Sequence, residues 1–168
     1  MNGYPYLPPY APSNVPPYGY WRGGHEQASY QSLQTALELV RQAVQGERED
    51  ELFYDYLISV APSEEARTII ASIRDDERKH NRMFRKIYAD FTGQAVGAGQ
   101  EEAFEKPASY ADGLRKAFFG ELAAVERYRN IRAGLPARFY RDMVFEILTD
   151  EMKHADKYLY LMLAGQAK

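Results

Sequence analysis

Two short segments of the sequence place a glutamate three residues before a histidine. Glu77 precedes His80, and Glu151 precedes His154. Residues three apart share one face of an α-helix, so each pair can direct a carboxylate and an imidazole toward the same point. Oxygen and nitrogen donors in this combination suit iron and manganese ions. The two segments are therefore candidate metal-binding motifs.

Both motifs belong to an internal repeat whose copies are offset by 74 residues. The matched residues are Gly46 and Glu47 with Gly120 and Glu121, Tyr54 with Tyr128, Pro62 with Pro136, and Asp76 with Asp150. A repeat of this length indicates that the two halves of the chain share one supersecondary structure. Glu47 and Glu121 become further candidate ligands, because each holds the same place in its own copy.

The positions of the four glutamates are consistent with a single site. In an antiparallel hairpin, residues equidistant from the turn lie at the same height. Residue 62 lies midway in the sequence between Glu47 and Glu77, and residue 136 lies midway between Glu121 and Glu151. Both midpoints are prolines, at the predicted turns. One glutamate from each of two helices and a Glu-x-x-His motif from each of two others form the ligand set of dinuclear carboxylate bundles. The sequence therefore predicts two metal ions held by Glu47, Glu77, His80, Glu121, Glu151 and His154.

The chain contains no cysteine, which restricts how it can hold a metal. Disulfides, Cys-ligated zinc, iron–sulfur clusters and thiol catalysis are all excluded, so any metal ligands must be carboxylates and imidazoles. Four buried carboxylates would repel one another unless cations or protons neutralised them, and two divalent ions neutralise four charges. The alternative is that duplication copied a surface salt-bridge motif with no metal-binding role.

Hydrophobic periodicity predicts that four long helices position these residues. The predicted helices span residues 28–59, 64–91, 108–133 and 137–164. Pro62 with Ser63, the glycines of segment 93–99, and Gly134 with Pro136 mark their ends. The two short breaks make antiparallel hairpins, and the stretch 92–107 is long enough to return the chain along the bundle. We therefore predict an all-α, ferritin-like four-helix bundle with two hairpins and one long crossover.

Composition divides the chain into a Pro/Tyr-rich tail over residues 1–27, the bundle over 28–164, and a short C-terminal end over 165–168. Residues 1–24 contain six of the nine prolines and five of the fourteen tyrosines. Proline removes backbone donors and fixes φ, so an extended, polyproline-like tail is predicted. Two interpretations of this tail remain open, a disordered segment and a docking arm.

Charge and hydropathy argue against nucleic-acid and membrane partners. The formal net charge is −3 and the charges are interleaved, so no basic stripe is available to bind phosphates. The longest apolar runs fall well short of the ~20 residues that a membrane span requires. The N-terminus also lacks the basic-then-apolar order of a signal peptide. These features predict a cytoplasmic protein.

Over residues 28–164 the chain resembles the rubrerythrin and bacterioferritin branch of the ferritin-like superfamily. The resemblance rests on Gly46–Glu47, Gly120–Glu121, and the segments 76–80 and 150–154. It implies terminal metal binding by Glu47 and Glu121, bridging of the two ions by Glu77 and Glu151, and capping of each ion by His80 or His154. It also implies a homodimer. Rubrerythrins proper carry a Cys-ligated rubredoxin domain, which a chain without cysteine cannot have.

The same resemblance implies carboxylate partners for the two histidines. Metal-bound histidines usually donate their free N–H to a carboxylate. Asp150 is expected to accept from His80, and Asp76 is expected to accept from His154, in each case across the bundle.

Three further side chains are candidates for the surroundings of the metal ions. Tyr54 and Tyr128 each follow a candidate ligand by seven residues, or two helical turns, so their phenols are expected to reach a ligand carboxylate. The alternative for each is a core aromatic whose hydroxyl is satisfied elsewhere. Asp50 is a candidate seventh ligand, with a solvated acidic surface as the alternative.

Such a site predicts redox chemistry with dioxygen or hydrogen peroxide. The favoured function is oxidation of ferrous iron, or reduction of peroxide or dioxygen, at two iron ions, with an unidentified external electron donor. A dimanganese centre that disproportionates peroxide is the enzymatic alternative, because the ligand types separate iron from manganese poorly. A metal-stabilised structural protein, docked by the Tyr/Pro arm in an assembly such as a spore layer, is the alternative from a different class.

Overall fold

The computed structural model describes residues 22–97 and 104–166, and it describes residues 22–31, 47, 48 and 166 by their backbone alone. All regular structure within these residues is helical, which confirms the predicted all-α fold. The helices are α1 (Arg22–Gln45), α2 (Glu47–Val60), α3 (Glu64–Thr92), α4 (Tyr110–Gly134) and α5 (Arg138–Gln166). The predicted character of residues 1–21 lies outside the described residues. None of the described helices is long and apolar enough to cross a membrane.

Local sequence explains both ends of α3. Ser63 caps its N-terminus by accepting a hydrogen bond from the Ala66 N–H at 3.1 Å, and two glutamates occupy the first turn, where they favour the positive end of the helix dipole. Gly93 ends the helix in the left-handed conformation with a φ of 69°, and its N–H donates to the Ala89 carbonyl at 2.8 Å. The predicted span of 64–91 is confirmed to within one residue.

The ends of α4 are equally well defined. Ser109 accepts a hydrogen bond from the Asp112 N–H at 3.1 Å and caps the N-terminus. At the other end, a Cβ placed on Gly134 would lie 2.2 Å from the Ser32 carbonyl oxygen of α1. Glycine is therefore needed where the end of α4 approaches α1. The predicted third and fourth helices agree with α4 and α5 to within two residues at each end.

The first predicted helix, 28–59, differs from the structure in two ways. It begins earlier, at Arg22, inside the segment assigned to the tail, and it is divided at Gly46 into α1 and α2. Helical hydrogen bonding continues on both sides of the division, because the Gly46 N–H donates to the Gln42 carbonyl and the Asp50 N–H donates to the Gly46 carbonyl. The prediction of one continuous helix was wrong at Gly46, since glycine is a poor helix former, disfavoured by ~1 kcal/mol relative to alanine.

The helices form two antiparallel hairpins, α2 with α3 and α4 with α5, and α1 packs against α3 and α4. Two buried apolar layers hold them together. The first apolar layer includes Val40, Phe84, Ile87, Ile131 and Ile147. The second apolar layer includes Leu57, Ile70, Ile73, Leu114 and Tyr158.

The candidate ligands lie between these two layers. Along α3 the chain passes from Ile73 in the second layer to Phe84 in the first, with residues 77–80 between them. Along α5 the order is reversed, from Ile147 in the first layer to Tyr158 in the second, with residues 151–154 between. The antiparallel helices therefore bring both Glu-x-x-His motifs to one level of the bundle.

Candidate metal centre

His80 and His154 face each other in the middle of the bundle. Their ring centroids are 5.8 Å apart, and the side chains are buried, with 1 % of His80 and none of His154 exposed to solvent. In each ring Nε2 points toward an aspartate and Nδ1 points toward glutamates. The two nitrogens of each imidazole therefore face different surroundings.

Glu77 and Glu151 lie between the two imidazoles. Glu77 places Oε2 3.5 Å from His80 Nδ1 and Oε1 3.1 Å from His154 Nδ1. Glu151 places Oε1 3.1 Å from His80 Nδ1 and Oε2 3.8 Å from His154 Nδ1. Each carboxylate thus presents one oxygen to each histidine, which is the arrangement that a carboxylate bridging two ions requires.

Glu121 completes the group that the described side chains bring together. It is buried on α4, with Oε2 3.9 Å from His154 Nδ1. Glu77, Glu121, Glu151 and His154 each offer a ligand atom, and these four atoms lie within 4.8 Å of one another. The backbone of Glu47 begins α2, whereas its side chain lies outside the described residues, so its predicted role stays a prediction.

Several atoms at this point are buried without a hydrogen-bond partner. They are Nδ1 of His80 and His154 and Oε1 of Glu77 and Glu151. They form two pairs, His80 Nδ1 with Glu151 Oε1 and His154 Nδ1 with Glu77 Oε1, each 3.1 Å apart but too poorly aligned for a hydrogen bond. A buried polar atom without a well-formed hydrogen bond costs about 1–3 kcal/mol, so the convergence of four needs an explanation. Coordination of a cation provides one, because imidazole nitrogen and carboxylate oxygen are both good ligands. The residues present therefore fit a metal centre.

Two aspartates orient the imidazoles from the opposite hairpin. His80 Nε2 lies 3.1 Å from Asp150 Oδ2, and His154 Nε2 lies 3.1 Å from Asp76 Oδ2. Burial would raise the pKa of both aspartates, but hydrogen bonding and the positive charge of Lys153 outweigh it and lower each pKa. An ionised aspartate accepts from Nε2–H, so Nδ1 is the ring nitrogen that would bind a metal once its own proton is displaced. These are the pairings expected from the sequence.

The ionisation of the site is set by the competition between burial and neighbouring charges. Burial alone would lower the pKa of each histidine, but the carboxylates of Glu151 and Glu77 outweigh it, raising the pKa of His80 to about 10 and that of His154 to about 9. Burial and the hydrogen-bonded Glu151 raise the pKa of Glu121 well above its usual value. Burial also acts to raise the pKa of Glu151, but Glu121 and the two histidines lower it. With pKa values of about 10 and about 9, both imidazoles carry an extra proton at neutral pH, which a binding cation must displace.

Tyr54 and Tyr128 are almost completely buried beside the site. Burial raises the pKa of both phenols, and the charges of Glu121 and Glu77 at Tyr54, and of Glu151 and Glu77 at Tyr128, add to this effect. The ring of Tyr128 also packs against Phe84, with centroids 4.9 Å apart. Both tyrosines therefore border the carboxylates and also serve as core aromatics. Hydrogen bonds from their hydroxyls to a ligand stay predictions.

A third buried tyrosine, Tyr158, was missed by sequence reasoning. It is fully buried, and its hydroxyl lies in the core without a well-formed hydrogen bond. Burial, together with the charges of Glu121 and Glu77, raises its pKa. The signal for this residue was its place four residues after His154, which puts both side chains on one helix face. Comparison of the two repeat copies did not single out Tyr158, because the matching residue in the first copy is Phe84.

Asp50 lies at the rim of the site and is exposed to solvent. It lines two pockets that also contact Glu77, one of them a cavity of about 310 Å³ bordered by Glu121 and Glu151 as well. The surrounding protein atoms, with the negative charges of Glu77 and Glu49, raise the pKa of Asp50 to about 7. The position fits neither a buried ligand nor an ordinary surface carboxylate, and the possible seventh-ligand role stays a prediction.

A helical bundle whose centre holds glutamates and two Asp-oriented histidines defines a carboxylate–histidine protein of the ferritin-like class. The rubrerythrin family model matches residues 38–111, which include α2, α3 and the motif of Glu77 and His80, and the chain belongs to this family. A Bacillus subtilis protein described as "Uncharacterized protein YhjR" is 30 % identical over 124 residues, covering 74 % of this chain and 84 % of the relative. No solved structure matches the chain.

Proposed function

We propose that this chain is a di-iron carboxylate protein that oxidises ferrous iron, reduces peroxide or dioxygen, or does both. The observation that carries the proposal is the convergence of buried ligand atoms from two histidines and two glutamates that form no well-aligned hydrogen bond. Membership of the rubrerythrin family supports a dinuclear carboxylate site in this position.

The geometry supports a division of roles among the ligands. Glu77 and Glu151 would each hold both ions, because each points one oxygen at each histidine. His80 and His154 would each hold one ion through Nδ1. Glu121, and by the repeat Glu47, would each add a carboxylate to one ion.

The choice of metal follows from charge and ligand type. The four glutamates balance the charge of two divalent ions, and the two histidines add neutral donors. Oxygen-rich sites with imidazole suit both iron and manganese, so manganese is the competing metal. Iron is favoured here by the family to which the chain belongs.

Bound ferrous ions would each supply one electron for the reduction of peroxide or dioxygen. The protein's own residues control access to the ions. Reduction of peroxide to water consumes protons, which must come from solvent, because Glu121 has to be ionised to bind a metal ion. The cavity of about 310 Å³ that borders Glu121 provides space for a small oxidant. Electrons for repeated turnover must come from an external donor, because a chain without cysteine carries no iron–sulfur relay.

Metal loading followed by oxidation tests the proposal. The purified protein is stripped with a chelator, titrated anaerobically with ferrous ion, and mixed with peroxide or dioxygen while ferric absorbance is recorded. Two irons per chain and oxidation much faster than that of free ferrous ion are expected. The double variant Glu77→Ala/Glu151→Ala should lose stoichiometric binding, whereas Glu126→Ala, on the exposed surface of α4, should retain it.

Other results of this experiment would favour a different function. Tight binding of two manganese ions with oxygen evolution from peroxide would favour the disproportionating enzyme. Stoichiometric metal binding with only background oxidation would favour a metal-stabilised structural protein. Survival of two tightly bound ions in the double variant would remove the proposed site altogether.

A further inference from the structure

The cavity of about 310 Å³ beside the metal centre is a cleft between α4 and the segment that joins α1 to α2. On α4 it is lined by Ala117, Gly120 and Ala124, whose spacings of three and four place them on one helix face. Ala43 and Gly46 line it from the opposite side. These small side chains leave the space between the two walls unfilled.

The floor of this cleft consists of candidate metal ligands. Glu77, Glu121 and Glu151 all line it, and Glu121 and Glu151 are buried. A molecule bound in the cleft would therefore touch the carboxylates that are proposed to hold the ions. This is the position of a substrate rather than that of a ligand bound at a distance.

Aromatic side chains contribute to the walls of the cleft. Phe53 and Tyr54 line it from α2, and Tyr128 lines it from α4. Aromatic rings provide a large area of apolar contact to an organic ligand. Hydrogen peroxide, which is small and hydrophilic, gains little from such walls.

The charged side chains that line the cleft lie at its margins. Lys116 and Arg127 are both exposed, and the eleven residues between their positions correspond to about 16 Å along α4. Asp50 is exposed at the rim on the opposite side. Gly120 and Ala124 occupy the stretch of α4 between the two cations. The middle of the cleft therefore favours an uncharged molecule.

The volume of the cleft exceeds what the smallest oxidants need. A water molecule takes up ~30 Å³ in the liquid, so about 310 Å³ corresponds to roughly ten groups of that size. Hydrogen peroxide and dioxygen have only two non-hydrogen atoms each. Pockets that bind organic ligands begin at about 300 Å³. The cleft therefore has room for an organic molecule of about ten non-hydrogen atoms.

We propose that the preferred oxidant of this site is an organic hydroperoxide whose apolar body occupies the cleft and whose O–O group lies at the carboxylate floor. This inference rests on the proposed di-iron function and names its substrate class. The reaction takes two electrons, one from each of two ferrous ions, and two protons from solvent. The O–O bond breaks, and an alcohol and water are released.

Binding of an unreactive alcohol to the metal-free protein tests the cleft without turnover. Cumyl alcohol, the product expected from cumene hydroperoxide, is titrated in chelator and followed by calorimetry. Wild type is expected to bind it, and Gly120→Leu should weaken binding at least about 10-fold, because a Cβ at Gly120 meets no atom within 4 Å and a leucine would fill the cleft. Gly120→Ala, which adds one methyl group, should weaken binding less.

Gly165→Leu is the matched control for both measurements. A Cβ at Gly165, near the end of α5, also meets no atom within 4 Å, and this residue does not line the cleft. The control should bind cumyl alcohol as wild type does. Unchanged helicity and an unchanged stoichiometry of bound iron show that each variant folds.

Single-turnover kinetics test the preference itself. The diferrous protein is mixed anaerobically with cumene hydroperoxide or with hydrogen peroxide, and the second-order rate constant of ferric formation is measured for each. Wild type is expected to react faster with cumene hydroperoxide. Gly120→Leu should lower the ratio of the two rate constants at least about 10-fold, whereas Gly165→Leu should preserve it.

The outcomes separate this inference from the proposed function. A wild type that oxidises iron faster with hydrogen peroxide, or that does not bind cumyl alcohol, would overturn the substrate class and leave the di-iron function intact. A ratio of rate constants unaffected by Gly120→Leu would also overturn it, because the cleft would not select the oxidant. Only background oxidation with both peroxides would overturn the proposed function and this inference together.

Discussion

His80 on α3 and Asp150 on α5 are joined across the two hairpins, with Nε2 and Oδ2 3.1 Å apart, and the repeat supplies the reciprocal contact between His154 and Asp76 at the same distance. Each copy of the repeated unit thus orients the histidine of the other copy. Neither hairpin alone holds its imidazole in place, and the site depends on their association.

Replacement of Asp150 by asparagine should weaken metal binding about 10–100-fold. Asparagine preserves the shape of the side chain but removes the negative charge that makes the His80 imidazole a better ligand. Anaerobic competition titration with ferrous or manganous ion measures the change. Asp142→Asn, which alters an exposed carboxylate of α5 paired with Arg138, is the control. Equal effects of the two substitutions would mean that Asp150 does not act through the ligand.

The metal-free protein should lose stability as the pH rises from about 7 to 10. The surrounding carboxylates raise the pKa of His80 to about 10 and that of His154 to about 9, both above the ordinary value of 6.5. A pKa raised by folding contributes stability that is fully present below the unfolded value and is lost as the pH passes through the folded value. Urea unfolding in chelator at several pH values measures this loss.

The double variant His80→Gln/His154→Gln provides the reference for that experiment. Its stability should decline less steeply over the same pH range, because the two imidazoles are absent. Tyrosines and lysines titrate in both proteins, so their effect cancels in the comparison. A decline equal to that of wild type would show that the imidazoles are not the titrating groups.

The sequence was sufficient to place the two Glu-x-x-His motifs at one level of the bundle, because their register is determined by counting. Once Pro62 and Pro136 mark the turns, the heights of Glu77 and Glu151 follow from the helical rise alone. The family resemblance, rather than counting, supplied the expectation that Asp150 and Asp76 would face the histidines of the other hairpin. Their roles as metal ligands and as partners of ligands stay predictions until metal is measured.

Features that depend on local backbone energy or on tertiary contact could not be predicted in this way. The division of the first helix at Gly46 reflects a small difference in propensity that hydrophobic periodicity does not report. Tyr158 is buried in a layer to which α2, α3 and α4 also contribute, and its matching residue in the repeat is a phenylalanine. The exposure of Phe119 and Phe145 is likewise a tertiary property, since amphipathic patterns alone do not distinguish an interface from a core.

Metal should stabilise the folded protein. A ligand present at 100 times its Kd and bound only by the native state adds about 2.7 kcal/mol, which for a chain of this size raises Tm by about 5–10 °C. Thermal unfolding followed by circular dichroism, with ferrous or manganous ion and with chelator, measures the shift. The variant Glu77→Ala/Glu151→Ala should show no shift on metal addition. A shift of the same size in that variant would locate the stabilising ion elsewhere.

Gly134→Ala should destabilise the metal-free protein by about 1–3 kcal/mol. The new Cβ would lie 2.2 Å from the Ser32 carbonyl oxygen and 2.8 Å from the Ala36 Cβ, so α1 would have to move away from the end of α4. Gly120→Ala is the matched control, because a Cβ there meets no atom within 4 Å and the lower entropy of the unfolded chain should add about 0.5–1 kcal/mol. Urea denaturation in chelator compares the two variants. A Gly134→Ala protein as stable as wild type would show that α1 does not pack against α4 as closely as the structure indicates.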